Sequence, residues 1–267
     1  MSQTSDILAG NLKLPTYGGF IIMQTFTTKT IREIALADPA TTRVFEEFKI
    51  DYCCGGRKSL DEACAAAGLD TQMVAQKIDA AMKDHAGRRQ NGEHNERSAS
   101  ELINYIISKH HVFTVNEIER LKPLMEKVCQ RHGEQNRELF KLQTIFLALA
   151  DSLIPHMRKE EAVLFPYIQT LAGTLADDMS APMPHFGTVE NPIRMMMADH
   201  EEDGERLRLM REISGDYALP DGACPSFTAL YAGLEDLEKD LHRHIHLENN
   251  VLFPTAIDLE RNNSVRA

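Results

Sequence analysis

From Thr28 onward the apolar positions fall at the three-and-four spacing of helices buried along one face. The segment IREIALADP closes at Pro39, which in turn opens ATTRVFEEF with Asp38 as N-cap and proline at the first helical position. Ser59 caps LDEACAAAG, Gly68 ends it, and Asp70 or Thr71 begins TQMVAQKIDAAMKD. Four short helices by about Asp84 make a small helical domain over residues 25–84, preceded by a tail, 1–24, that has neither a helical nor an alternating period. The polar stretch 85–98, broken by Gly87 and Gly92, is expected to be a linker that hinges two domains.

Longer segments follow. Leu102, Ile103, Ile106 and Ile107 begin an apolar face that continues through Val115, Ile118, Leu121 and Met125, with a kink expected at Pro123. Residues 135–168 and 192–213 predict a second and a third helix, and a fourth runs from Pro225 to about Glu260. Between the second and third lies a Gly-, Pro- and Asp-rich excursion over 170–190. The expected fold is all-α: a four-helix bundle over 99–262 preceded by the small helical domain.

Composition agrees, since aromatics make up only 6%, Trp is absent and Ala, Leu, Met, Glu and Lys abound. The net charge of -11 and the lack of a Lys/Arg block argue against a nucleic-acid partner. No run approaches the ~18 apolar residues of a membrane helix, and the first 25 residues lack the features of a secretory signal. Five cysteines, two of them adjacent, do not suggest a disulfide framework, so a cytoplasmic protein is expected.

The chain repeats itself in one place. HMRKEEAVLFP (156–166) overlies HIHLENNVLFP (244–254) at an offset of 88 with six identities in eleven positions, among them His156/His244 and Glu160/Glu248. His and Glu four residues apart share a helix face, so each segment aims one imidazole and one carboxylate at the same spot. A further histidine precedes each at nearly equal distance: His111 lies 45 residues before His156, and His200 lies 44 before His244. Four imidazoles and two carboxylates in one bundle core suit two ions of iron, manganese or zinc. A single H-x-x-x-E on a helix is usually just solvated, but duplication together with VLFP and the spaced histidine argues for metal ligands. His132, His242, His246, His85, His94 and His185 are given no ligand role, and His110 competes with His111 because the two are neighbours that a one-residue shift of helix phase exchanges.

DYCCGG (51–56) sets Cys53 beside Cys54, followed by two glycines that permit close approach of another group. Two buried helix-end thiols and a redox or metal-handling pair are equally good readings of that motif alone. DYCCGG followed by a bundle with HMRKEEAVLFP, ADHEEDGE and HIHLENNVLFP resembles, over about residues 28–258, the Repair of Iron Centres family of hemerythrin-like di-iron proteins. Residues 1–24 have no recognised counterpart there, and the 170–190 excursion is longer than in compact relatives.

That resemblance implies two irons held by His111, His156, Glu160, His200, His244 and Glu248, with both carboxylates bridging and an oxo or hydroxo group between the metals. It implies a stress-response role in repairing iron–sulfur clusters damaged by nitric oxide or oxidants, with damaged iron–sulfur proteins as partners and Cys53 and Cys54 as the working thiols. Nitric oxide or dioxygen would be the small-molecule ligand, and pairing into a homodimer is left open. The alternatives are a di-iron nitric oxide reductase and a module that binds or senses dioxygen or nitric oxide.

Overall fold

The computed structural model describes residues 26, 29–53, 55–89, 97–176 and 184–264. Cys54, the tail and the middle of the 170–190 excursion therefore lie outside the described residues. Among those described the only β pairing is an isolated bridge between Thr30 and Ser59, and the rest of the regular structure is helical.

Among the described residues the small domain contains α1 (Ile31–Ala37), α2 (Ala40–Glu47), α3 (Leu60–Ala67) and α4 (Thr71–Arg89). Thr30 and Ser59 start α1 and α3 with capping boxes closed by Glu33 and Glu62, and Gly68 ends α3 at a φ of 67°. Pro39 is itself the N-cap of α2, one residue later than the sequence predicts, yet Asp38 still does the capping because its Oδ1 accepts from the Ala40 amide at 2.8 Å. Helix α4 continues to Arg89, so the first five residues of the expected linker are helical, and residues 90–96 lie outside the described part.

Among the described residues the bundle has four long helices, three of them interrupted by a π-helical turn. Helix α5 comprises Ala99–Tyr105, the π turn Ile106–His111 and Val112–His132; α6 comprises Glu138–Lys159, the π turn Glu160–Leu164 and Phe165–Ala176. Helix α7 is Glu190–Ile213, and α8 comprises Pro225–His246, the π turn Leu247–Leu252 and Phe253–Ser264. Two of the three π turns end two residues before a proline, Pro166 or Pro254, in the repeated VLFP. A proline inside a helix donates no amide hydrogen and crowds the carbonyl four residues back, which favours the wider π register there. Pro123 and Pro155 sit inside the helical segments of α5 and α6.

Packing sets the layout. Helix α5 lies along α8, and α6 along α7. One apolar core joins Leu121, Phe146, Leu207 and Leu237 at one end of the bundle; a second joins Ile106, Phe165, Ile193 and Phe253 towards the other. The polar residues of the repeat occupy the layer between them. The small domain, with its own core around Phe45, Tyr52 and Ile78, docks on α8: Arg243 grips both oxygens of Glu46 at 2.6 and 2.5 Å, Asn250 donates to the Tyr52 carbonyl at 3.4 Å, and the Tyr52 ring stands edge-on to His246.

Candidate metal centre

Six side chains converge in the layer between the two cores, and they are the six expected from the repeat. Each is at most 2% exposed, in a position where an ionised carboxylate without a counter-charge is costly. They form two overlapping groups, His111, Glu160, His244, Glu248 and His156, Glu160, His200, Glu248, in each of which one donor atom per residue lies within 4.8 Å of the others.

The atoms facing inward are all Nε2 or carboxylate oxygens. His111 Nε2 lies 3.1 Å from His244 Nε2, and His156 Nε2 lies 2.9 Å from His200 Nε2. Glu160 divides its oxygens, Oε1 standing 3.3 Å from His156 and Oε2 3.6 Å from His111. Glu248 does the same, Oε1 reaching His244 at 2.9 Å and Oε2 reaching His200 at 3.2 Å. Even so, both Glu160 oxygens and Glu248 Oε2 are buried without a hydrogen bond of proper geometry. Two neutral imidazoles face to face share at most one proton, whereas a cation between them accepts both lone pairs and a carboxylate oxygen as well. The donor set therefore fits two adjoining cations.

Three of the four imidazoles are held from behind through Nδ1. His111 meets Glu161 Oε1 at 2.6 Å, His156 meets Asp199 Oδ2 at 3.2 Å, and His200 meets Asn249 Oδ1 at 2.9 Å. Such contacts fix the tautomer that leaves Nε2 free to ligate. The Nδ1 of His244 is buried with no hydrogen-bond partner. Glu161 and Asn249 are counterparts in the repeat, a signal present in the sequence although neither is identical to its mate. Asp199 carries no signature beyond standing next to His200.

Electrostatics differ among the clustered side chains. Burial lowers the pKa of His156, but Glu160, Glu248 and Asp199 outweigh it and raise the group to about 9. His111 is likewise raised, the same burial being overcome by Glu248, Glu160 and Glu161. For His244 burial wins, and its pKa is lowered. Burial pushes the Glu248 carboxyl up, yet His244 and the bonds from His111 and His200 hold it well below the usual carboxylate range.

His110, the competitor of His111, is turned away. Its Nδ1 meets both oxygens of Asp240 at 3.0 Å, and its ring lies parallel to that of His244 with centroids 5.6 Å apart. His132, His242 and His246 are outside both groups.

Cys53 is not in the cluster. It is buried where the small domain meets the bundle, its amide and thiol both on Asp51 Oδ1 at 3.0 and 3.3 Å. A cavity of about 410 Å³ beside it is lined by Arg32, Arg57, Arg194 and Asn249, the last being the residue behind His200. Close approach at the glycines is real but internal to the small domain. A Cβ on Gly56 would stand 3.0 Å from the Tyr52 carbonyl oxygen and 3.2 Å from the Arg32 Cβ.

Comparison with known proteins bears on both parts of the chain. Residues 27–82 match a family described as a Domain of Unknown function (DUF542), and residues 102–256 match the Hemerythrin HHE cation binding domain. The iron–sulfur cluster repair protein YtfE of Yersinia pseudotuberculosis serotype IB (strain PB1/+) is 31% identical over 233 residues, which cover 87% of this chain and 98% of that protein. The protein of the same name from Dickeya chrysanthemi (strain Ech1591) is 32% identical over 232 residues, again 87% and 98% of the two chains. Likeness of this extent, running through both domains and over the helices that carry all six clustered side chains, shows that the chain belongs to the iron–sulfur cluster repair proteins with a hemerythrin HHE cation-binding domain.

Proposed function

We propose that this chain holds two iron ions in the layer between its cores and serves to repair iron–sulfur clusters damaged by nitrosative or oxidative stress. The observation that carries the metal reading is the division of Glu160 and Glu248, each with one oxygen towards His111 or His244 and the other towards His156 or His200. Carboxylates so placed suit bridging ligands, and His111, His244 and His156, His200 then supply two imidazoles to each ion, with an oxo or hydroxo group as a further bridge. Bound there, an iron pair supplies one-electron redox chemistry and a site for nitric oxide or dioxygen.

The protein's own part is positional. Glu161, Asp199 and Asn249 orient three rings, and the flanking apolar cores keep bulk water from the carboxylates. We assign Cys53 and Cys54 to repair rather than to holding the irons, since Cys53 faces the Asn249 cavity at the domain junction. The clients are damaged iron–sulfur proteins, as the relatives' names suggest, and the setting is the cytoplasm, where thiols stay reduced.

Anaerobically purified protein is expected to carry two irons per chain with the optical and Mössbauer signature of a bridged pair, and to reactivate a cluster enzyme inactivated by nitric oxide. Catalytic consumption of nitric oxide without reactivation would make it a reductase instead, and reversible dioxygen binding alone would make it a carrier. A Cys53→Ser/Cys54→Ser variant should keep both irons and repair less well.

A further inference from the structure

A second chemically competent pair lies at the far end of the bundle. His132, the last residue of the Val112–His132 segment of α5, places its Nε2 3.1 Å from the Sγ of Cys224, the N-cap residue of α8. Along α5 the 21 residues between His111 and His132 correspond to about 30 Å, so the pair is remote from the metal ligands.

Several features set it apart from a merely packed cysteine. Cys224 is part-exposed, unlike Cys53, Cys64 and Cys129, which are buried. Among the described residues no carboxylate pairs with the His132 ring, in contrast to His110 on Asp240 and His85 beside Asp38. The ring is steadied by the buried Phe227, at 5.4 Å between centroids, in the first turn of α8. The partial charges at the C-terminus of α5 and the N-terminus of α8 have the signs that suit a proton passing from sulfur to imidazole. The pair opens on a cavity of about 410 Å³ whose lining includes Lys127, Gln130, Arg131 and Ser226.

We infer that Cys224 and His132 form a thiol–disulfide exchange site for a small anionic disulfide, a dipeptide- or tripeptide-sized molecule whose carboxylates meet Lys127 and Arg131. The cavity is far larger than a peroxide needs, and its two cations select negative charge. In the step, His132 Nε2 takes the Cys224 proton and the sulfur attacks one sulfur of the disulfide. The reagent's S–S bond breaks as a new one forms to Cys224. The departing thiolate recovers the proton from His132. One protein thiol and one disulfide thus become one mixed disulfide and one small thiol, with Cys224 oxidised and the departing sulfur reduced.

The test uses the full-length, iron-loaded protein with glutathione disulfide as probe, each cysteine being followed by peptide mass mapping. Cys224 is expected to react at least about tenfold faster than in the urea-unfolded chain, and His132→Gln to remove about that factor. Lys127→Glu/Arg131→Glu, at exposed positions, should slow glutathione disulfide several-fold and leave uncharged hydroxyethyl disulfide unchanged. A Cys224 rate no faster than in the unfolded chain, or unaltered by His132→Gln, overturns the proposal. If His132→Gln does not fold, the charge-reversal variant decides, and equal slowing of both disulfides or of neither overturns the anionic site. Iron content should be the same throughout, which separates this outcome from any failure of the di-iron reading.

Discussion

The half of the centre built on His156 and His200 and the half built on His111 and His244 share both carboxylates, yet differ in what stands behind the imidazoles. In the first half each ring has an acceptor at Nδ1, Asp199 for His156 and Asn249 for His200. In the second, Glu161 supports His111, while the Nδ1 of His244 has no hydrogen-bond partner. The position of Asp199, directly before His200, corresponds to that of His110 before His111. His110 gives its Nδ1 to Asp240 and offers only a ring face to His244. Duplicated sequence thus yields one set of inward atoms with two unequal surroundings, and His156 is raised to about 9 where His244 is lowered. The lesson is that the repeat preserves the clustered imidazoles and carboxylates more faithfully than the groups that surround them.

The largest effect is expected where the halves are joined. Glu160→Ala or Glu248→Ala removes a side chain common to both groups, so iron analysis should fall from two per chain to near none; retention of one tightly held iron would refute the sharing. Next come the single-group ligands. His156→Ala and His244→Ala should each cost about half the iron, and in the metal-free protein His156→Ala should lower the unfolding free energy by about 3 kcal/mol as Glu160 loses its nearest imidazole. Urea titration checks this, with His132→Ala as the control that loses no iron.

The comparison is sharpened by the groups behind the rings. Asp199→Ala should weaken one iron position about 10–100-fold and leave the other nearly untouched, whereas Glu161→Ala should weaken the opposite one. Competition with a chelator, read by Mössbauer spectroscopy, resolves the two positions. A uniform loss in either variant would mean that the halves are not independent. The smallest effect belongs to His110→Ala, which should keep both irons and cost about 1–3 kcal/mol from the loss of Asp240's partner. Loss of iron there would show that His110 acts on the centre through its stacked neighbour His244.

Much of this was legible beforehand because it is local. The cap at Ser59, the stop at Gly68 and the start at Pro225 involve residues within a turn of one another, and the helices begin and end close to those signals. The pairs His156/Glu160 and His244/Glu248 are local in the same way, whereas His111 and His200 could be named only from the repeated distance to them; all six side chains cluster. Helix α6, by contrast, runs on past residue 168 to Ala176, and α8 past 260 to Ser264, because their last turns pack on one another, as Asn263 donating to the Leu171 carbonyl shows. The polar composition of 85–89 and Gly87 suggested a linker, but α4 continues through it to Arg89. Of the three π turns, VLFP marks two, and the third carries no such sequence mark.

By itself the sequence determined that His156 and Glu160, and likewise His244 and Glu248, share a helix face, since backbone geometry alone places residues four apart side by side. It determined too that two such segments exist and that each is preceded by a histidine. Which imidazoles pair was decided only by the tertiary structure. His111 meets His244 and His156 meets His200, across the repeat rather than within it, because α5 packs along α8 and α6 along α7. The same packing brought Asp199 to His156, set Cys53 beside Asn249 through docking of the small domain, and joined His132 to Cys224. These partners lie on different helices, and spacing along one chain carries no information about the distance between two helices until their apolar faces have chosen each other.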